Sequence, residues 1–450
     1  MKDRMSYGWC VVRTLLPSLA FAAMLGLPEP ATSIQLGDAP EVTYAAHVAD
    51  ILQENCQVCH QPNAIGPMSL MSYEQVRRWA PMIRDQVVRR AMPPYHYDTD
   101  AGIQRLKEDK RLSDDDIQTI ASWVDAGAPL GDPADLPEPV EWPDASAWRL
   151  AERLGEPDLV VPSAPFDVPA NGQDLYWQPV VPTELTEDRC IMAIETKPSL
   201  PGRASTHHAN STFRVETQGG NTRQAGRLSE YALGKLGEIV PSDACRLAPA
   251  NSSVAWDIHY FPAGTAVPGD QVEVGIWFHD NDTIDRARAF RQNLTLYYLQ
   301  GGDYDIPPHG KLMTQGFHSF DHPVRIDSFQ PHGHLRMTGM SLEIFHPETG
   351  RRDMISMISN WHPGWHLSHI YEDDVAPLVP AGAVLILTAW YDNSADNPHN
   401  PDPDQWVGTG QRTADEMSHA WIAVTHLDQE AYARMISARR RRAEAVPVPR

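Results

Sequence analysis

The sequence is short of cysteine, short of positive charge and, beyond its N-terminal stretch, without long apolar runs. Five cysteines in 450 residues are too few for a small scaffold held together by disulfides. Lys and Arg total 37 against 59 Asp and Glu, a net charge of −22. That imbalance argues against nucleic acid and anionic membrane surfaces as partners, since both select a basic face. No later run approaches the ~20 apolar residues of a bilayer span, so no stable membrane span is expected. Hydrophobic residues make up 42% of the chain, enough for real cores and against global disorder. Two residue types are plentiful instead: 39 prolines and 19 histidines. Proline breaks helix interiors and sheet ladders, which predicts a loop-rich, largely β body. The length predicts two to four domains at roughly 100–200 residues each.

The N-terminus carries Lys2, Arg4 and Arg13, then an apolar run from Leu15 to Leu27, then Ala31-Thr32-Ser33. This is the layout of a secretory signal peptide over residues 1–33. A membrane anchor is the competing reading. The run is shorter than a span, and Pro17 and Pro28 interrupt or bound it. Cys10 falls within the leader. The mature protein is expected to be exported, periplasmic or secreted.

Cys56-Gln-Val-Cys59-His60 is a C-x-x-C-H motif. Two thiols at this spacing form thioether bonds to haem vinyl groups, and the adjacent histidine becomes an axial iron ligand. A lone C-x-x-C serves zinc or redox chemistry equally well. The immediate histidine, the export signal and a helix over Val48–Asn55 favour one covalently bound haem c. A soft sixth ligand would come from Met68, Met71, Met82, Met92 or His96. Met92 is preferred, because Pro93 and Pro94 stiffen the loop that carries it. Ser113 as N-cap, three aspartates and the spacing of Ile117, Ile120, Ala121 and Val124 predict a closing helix before Gly127. Helix, C-x-x-C-H, Met-Pro loop and C-terminal helix together resemble a class I cytochrome c. The expectation is a small all-α domain over residues 40–135. Proline and acid from Gly131 to Trp142 then predict a linker, set at 136–155.

From residue 156 to 428 the period changes to that of strands. Val272, Val274, Ile276 and Phe278 alternate with other residues, as do Leu294, Leu296 and Tyr298. Turn signals recur throughout, predicting two antiparallel β-sandwich domains, 156–292 and 293–428. Candidate ligands fall in four places: His207-His208, His259, His332-Gly333-His334 and Met417. His332 and His334, two apart, would share one face of a strand. His207 and His208 would face opposite ways unless the backbone there is irregular. Imidazole with thioether is a copper preference, and zinc rarely takes methionine.

The ordered set His207-His208, Ile258-His259-Tyr260, His332-x-His334-Leu335 and Asp415-Glu416-Met417 resembles the copper type II ascorbate-dependent monooxygenases, the group of peptidylglycine alpha-hydroxylating and dopamine beta-monooxygenases, over residues 175–428. Pro331 to Arg336 with Ala389 to Asn393 look still more like its bacterial members, some of which carry a cytochrome c-like segment in front. The resemblance implies two jelly-roll-like copper domains with a cleft between them. His207, His208 and His259 would hold an electron-donating copper. His332, His334 and Met417 would hold the copper at which O2 reacts and substrate is hydroxylated. It also implies a disulfide between Cys190 and Cys245. The sequence departs from the peptide-amidating members, whose substrate-gripping arginine and tyrosine are replaced here by Gln330 and Trp421, which argues against peptide amidation.

The expectation is therefore an exported copper monooxygenase with two copper ions. It would hydroxylate a C–H bond of a small organic substrate with O2, taking electrons from ascorbate or a periplasmic redox protein, with the haem as an inlet. The alternative is a non-catalytic haem–copper electron-transfer or copper-binding protein. His362, His366 and His369 are read as turn and surface histidines, with a third metal site as the sharper alternative. Arg439 to Arg442 mark a solvated basic tail over 429–450.

Overall fold

The computed structural model describes residues 42–445, apart from 63, 108, 143, 145, 218, 233, 234, 236, 281–292 and 301–303. The expected signal peptide, 1–33, lies outside the described residues. Among them, no helix is long and apolar enough to cross a membrane.

Strand outweighs helix, 37% against 18%, and this corrects the expected fold class. Among the described residues no all-α cytochrome c domain is seen. The α-helices of this region are α1 (Ala49–Asn55), α2 (Tyr73–Val88) and α3 (Asp114–Asp125). Local signals explain them. Ser72 and Ser113 each form a capping box, with Gln75 and Asp116 respectively. Tyr44, Leu52, Val76, Ile83, Ile120 and Trp123 meet in a small apolar cluster. The chain between α2 and α3, however, leaves the helices and joins the β body. Asp98 N–H and Ile103 N–H donate to the carbonyls of Met357 and Ile355, both at 2.9 Å. Leu106 bridges Tyr371, and Tyr97 and Leu106 sit in the core of the second β unit. The helices are thus part of one compact unit spanning Val42–Arg450.

The first β unit stacks two antiparallel sheets. One is built on Arg189–Pro198 and Val272–Phe278, the other on Ser252–Tyr260, Thr206–Glu216 and Thr222–Ala232. Ile191, Ile194, Val274 and Ile276 of one face meet Phe213, Leu228, Val254 and Ile258 of the other, the period-2 burial expected of facing sheets. Cys190 and Cys245 form a disulfide, with Cα atoms 5.2 Å apart. The outer face of the first sheet is covered as well. Trp148 and Leu150 pack on Ala193 and Trp277, and Glu195 accepts from the backbone N–H groups of Arg149 and Leu150 at 3.0 Å each.

The second β unit repeats the plan. Asn293–Gln300, His419–His426 and Val324–His332 form one sheet, and Lys311–Ser319, Val384–Asp392, Met337–His346 and Arg351–Ile358 the other. Phe329, Ile422 and Val424 meet Leu342, Leu385 and Leu387 between them. The basic tail runs as a helix, Gln429–Ala445, held to the body where Arg439 donates to the Asp373 and Ala376 carbonyls.

Candidate metal centres and haem cleft

The first histidine cluster is made by a bulge. His208 pairs with His259 across neighbouring strands, but Tyr260 pairs with Thr206, so His207 is an extra residue on its strand. A bulge re-aims a side chain. Here it supplies the irregularity that lets consecutive histidines share a site. The three ring centroids lie 4.9 to 5.4 Å apart, and one ligand atom from each falls within 4.8 Å of the others. His208 Nε2 and His259 Nδ1 are 3.2 Å apart. Two nitrogens bound tetrahedrally to one metal at roughly 2.0 Å lie about 3.3 Å apart, so this pair has the spacing of a coordination edge. The other nitrogen of His259, Nε2, is 3.1 Å from Asp174 Oδ2, and Tyr176 stacks on the ring at 4.5 Å. The Asp174 contact does not have hydrogen-bond geometry, and Nε2 stays without a hydrogen-bond partner among the described residues. Burial, with smaller contributions from His207 and His259, pushes His208 down to about 3, so its ring is neutral and carries a free lone pair.

The second cluster differs from the expected strand pair. The strand ends at His332, and His334 lies in the turn that follows, not on the same strand face. Its ring centroid is 5.4 Å from that of His332. Glu416 holds this turn. Its two carboxylate oxygens accept from the backbone N–H groups of His334, at 3.0 Å, and Arg336, at 2.5 Å. Burial pushes Glu416 up to about 7. The Asp415 carbonyl takes His334 Nδ1 at 3.0 Å, which leaves Nε2 for a ligand. Met417 follows directly, half-buried, its carbonyl accepting from the Tyr391 hydroxyl at 2.8 Å. His419 pairs with His332 in register and stacks on it at 4.4 Å.

Sequence reasoning underrated His366 and Glu416. His366 and His369 are buried, at 6% and 2% exposure; only His362 of that trio is a surface residue. His369 stacks near Tyr97, away from both clusters. His366 Nδ1 lies 3.2 Å from His332 Nδ1, and its ring is 6.4 Å from that of His207. The two clusters therefore meet across the seam between the β units. Beside them opens a cavity of about 600 Å³, lined by Ile65, Leu200, Arg203, His207, Phe261, Pro363 and His366 among others. The seam is pinned by Gln330, which donates to Glu230 and accepts from Lys235 at 3.0 Å and Ser368 at 2.8 Å.

The C-x-x-C-H segment lines a mostly apolar cleft that contains Cys56, Cys59, His60, Met92, Pro93, Pro94 and Trp365. Of the methionines considered as sixth ligand, Met92 is the one in this lining; His96 instead lies against Trp361. Both thiols are free, and burial pushes the Cys56 thiol up to about 12. The Cys59 thiol is raised too, by burial. Neither has the depressed pKa of a redox thiolate. The Met68 carbonyl holds His60 Nδ1 at 3.1 Å, which leaves Nε2 for a ligand. Gly66 makes this approach possible, since a Cβ there would lie 2.6 Å from His60 Nδ1.

No family model and no curated protein matches the chain. Solved structures match only loosely. A fucolectin from striped bass serum is 9% identical, covering 60% of this chain and 96% of its own, with a TM-score of 0.17. PNGF-II is 8% identical, covering 60% of this chain and 66% of its own, at 0.24. The VP2 subviral particle of infectious bursal disease virus is 8% identical, covering 65% and 76%, at 0.18. Scores this low carry no inference about fold or function.

Proposed function

We propose that the chain is an exported copper-dependent monooxygenase that hydroxylates a C–H bond of a small organic substrate with O2, and that a c-type haem attached at Cys56 and Cys59 feeds it electrons. The observation that carries this reading is the meeting of two histidine clusters, one from each β unit, beside a cavity of about 600 Å³. The ligand types fit copper, since imidazole and thioether donors together suit both of its oxidation states. His207, His208 and His259 would hold one ion, and His332, His334 and Met417 the other. Copper would supply O2 activation and one-electron storage, and haem would supply one-electron delivery.

The chain's own residues do the rest. The Asp415 carbonyl fixes which ring nitrogen of His334 faces inward, and Asp174 lies 3.1 Å from His259 Nε2 as the nearby carboxylate. Glu416 holds the turn that carries His334. Phe261, Leu200 and Ile65 give the cavity an apolar wall that excludes water from part of its surface. Gln330 is engaged by Glu230, Lys235 and Ser368, and Trp421 lies under the Arg227 guanidinium at 3.3 Å. Neither is placed to grip a peptide carboxylate, which supports a substrate other than a glycine-extended peptide. His60 and Met92 lie in one cleft with the thiols, and Trp365 in its wall precedes His366 in sequence.

The test is O2 uptake by the copper-loaded protein across a panel of small C–H substrates, with one labelled oxygen atom from O2 appearing in a hydroxylated product. Redox cycling of haem and copper without product from any substrate would support the electron-carrier reading instead.

A further inference from the structure

Next to the cavity beside His207 lies a smaller polar pocket of about 60 Å³. The two share Ile65 and Arg203 in their walls, so they adjoin. The small pocket is lined by four cations, Arg149, Lys197, Arg203 and Lys235, against one carboxylate, Glu195. Tyr231 and Thr196 also line it. Both are buried, at 7% and 8% exposure, and among the described residues neither hydroxyl has a hydrogen-bond partner. A buried hydroxyl without a partner costs free energy, so each is a donor that a ligand can satisfy.

The lysines and the carboxylate of this lining are already committed. Lys235 pairs with Glu238 at 2.7 Å and Glu230 at 3.9 Å, and Lys197 lies 3.8 Å from Glu273. The two oxygens of Glu195 accept from the backbone N–H groups of Arg149 and Leu150. Arg149 reaches the neutral Val58 carbonyl, at 3.5 Å. Arg203 is half-buried. Burial pushes its guanidinium down, the Tyr231 phenol offsets that, and the charge of Arg149 adds to the fall. An anion bound beside these two guanidiniums relieves both the desolvation and the repulsion, and the planar fork of arginine matches a carboxylate. Beyond Arg203 the walls turn apolar. Leu200 and Phe261 line the larger cavity and are 41% and 55% exposed, which is surface that the apolar part of a ligand would cover.

We propose that the small pocket binds the carboxylate of an organic acid, held by Arg203 and Arg149 with hydrogen bonds from Tyr231 and Thr196, and that the apolar body of the same molecule lies in the larger cavity beside His207. Arg203 then sets specificity, selecting an acid over a neutral molecule of the same shape. As a substrate class this rests on the monooxygenase reading above; the binding itself requires neither copper nor O2.

Calorimetric titration of the full chain with octanoate, octanamide and acetate tests this. Octanoate is expected to bind at least about 10-fold more tightly than octanamide, which lacks the charge, and than acetate, which lacks the apolar body. Arg203→Gln should weaken octanoate by at least about 10-fold and leave octanamide within about 3-fold. Tyr231→Phe, which removes only the hydroxyl, should weaken octanoate by about 3- to 10-fold. If Arg203→Gln does not fold, Tyr231→Phe and the octanamide comparison carry the test. Equal affinity for octanoate and octanamide would show an apolar cavity only, and equal affinity for octanoate and acetate a small-anion site only. Unchanged octanoate affinity in both variants would leave the two hydroxyls to water. Each of these results overturns the proposal. Octanoate binding by a chain that takes up no copper would keep the carboxylate site and remove the monooxygenase reading. Hydroxylation of neutral substrates by a chain that does not bind octanoate would do the reverse.

Discussion

Glu230 of the first β unit accepts a hydrogen bond from the Gln330 side-chain amide of the second. Glu230 is buried among Arg227 at 3.5 Å and Lys235 at 3.9 Å. Burial alone would raise its pKa. Arg227, Lys235 and the other neighbours prevail, and the carboxyl is held at about 2, below its ordinary 4.5. A depressed carboxyl stabilises the fold above its unfolded pKa and loses that contribution as pH falls through the folded value. The stabilisation should thus be complete above about pH 5 and fade between about 4.5 and 2. Glu230→Gln is expected to cost up to about 3 kcal/mol at pH 7, at 1.36 kcal/mol per unit. Urea unfolding of the copper-free protein should show the gap from the unaltered chain closing as pH drops to 3; a gap independent of pH would show that the charge of Glu230 does not carry it.

In the first metal cluster, His259 Nδ1 faces His208 and Nε2 faces Asp174. His259→Ala should remove one copper and leave the other. Asp174→Ala should retain both but weaken the first by roughly 10- to 100-fold, the usual effect of losing a carboxylate beside a metal-binding ring. Competition against a chelator of known affinity measures it. Unchanged affinity in Asp174→Ala would mean that the stack of Tyr176 suffices to orient the ring.

How much of this was legible in the sequence depended on whether the relevant contact was local. The capping boxes at Ser72 and Ser113 and the alternation around Val274 can be read from neighbours, and the structure has the corresponding elements. The all-α domain failed because Tyr97 and Leu106 bury themselves in a core some 250 residues further along the chain, and nothing local signals that. His207-His208 required an irregular backbone, but the bulge is visible only in the pairing with His259 and Tyr260. His332-x-His334 looked like a strand face, yet Glu416 pulls His334 into a turn. His366 looked like a surface histidine because its partner lies 34 residues away.

The proposed haem attachment at the C-x-x-C-H cleft has a test with a visible readout. Cys56→Ser with Cys59→Ser should abolish covalent attachment, seen as loss of haem from the denatured chain. Met92→Ala should remove the near-infrared charge-transfer band of thioether-ligated ferric haem. Gly66→Ala would press a methyl group onto the His60 ring, and should convert low-spin iron partly to high-spin while attachment persists. Retention of the band in Met92→Ala would redirect the search to Met68, Met71 or Met82.

The Cys190–Cys245 disulfide closes a loop with a sequence separation of 55. Chain-entropy reasoning gives it roughly 4 kcal/mol, and native bridges commonly contribute about 2–5. The double change Cys190→Ala with Cys245→Ala should lower stability by that amount in urea unfolding. Because both cysteines lie away from the histidine clusters, copper stoichiometry should remain at two in the folded fraction.

Met417 is where packing and ligation are hardest to separate, because a methionine beside a β-sheet is commonly core filler. Its backbone is fixed independently of its sulfur, by the Tyr391 hydroxyl on its carbonyl and by Glu416 on the preceding turn. Met417→Ile preserves that anchoring and most of the volume, so the copper-free protein should lose less than about 1.5 kcal/mol. An alkyl side chain donates no lone pair, so Cu(I) affinity at the second site should fall and O2-dependent turnover should cease. His419, two residues on, stacks on His332 and is the imidazole to exclude as a substitute ligand. The double change Met417→Ile with His419→Ala removes that substitute. Full turnover in the double variant would show that Met417 is packing, and that the second site rests on its histidines.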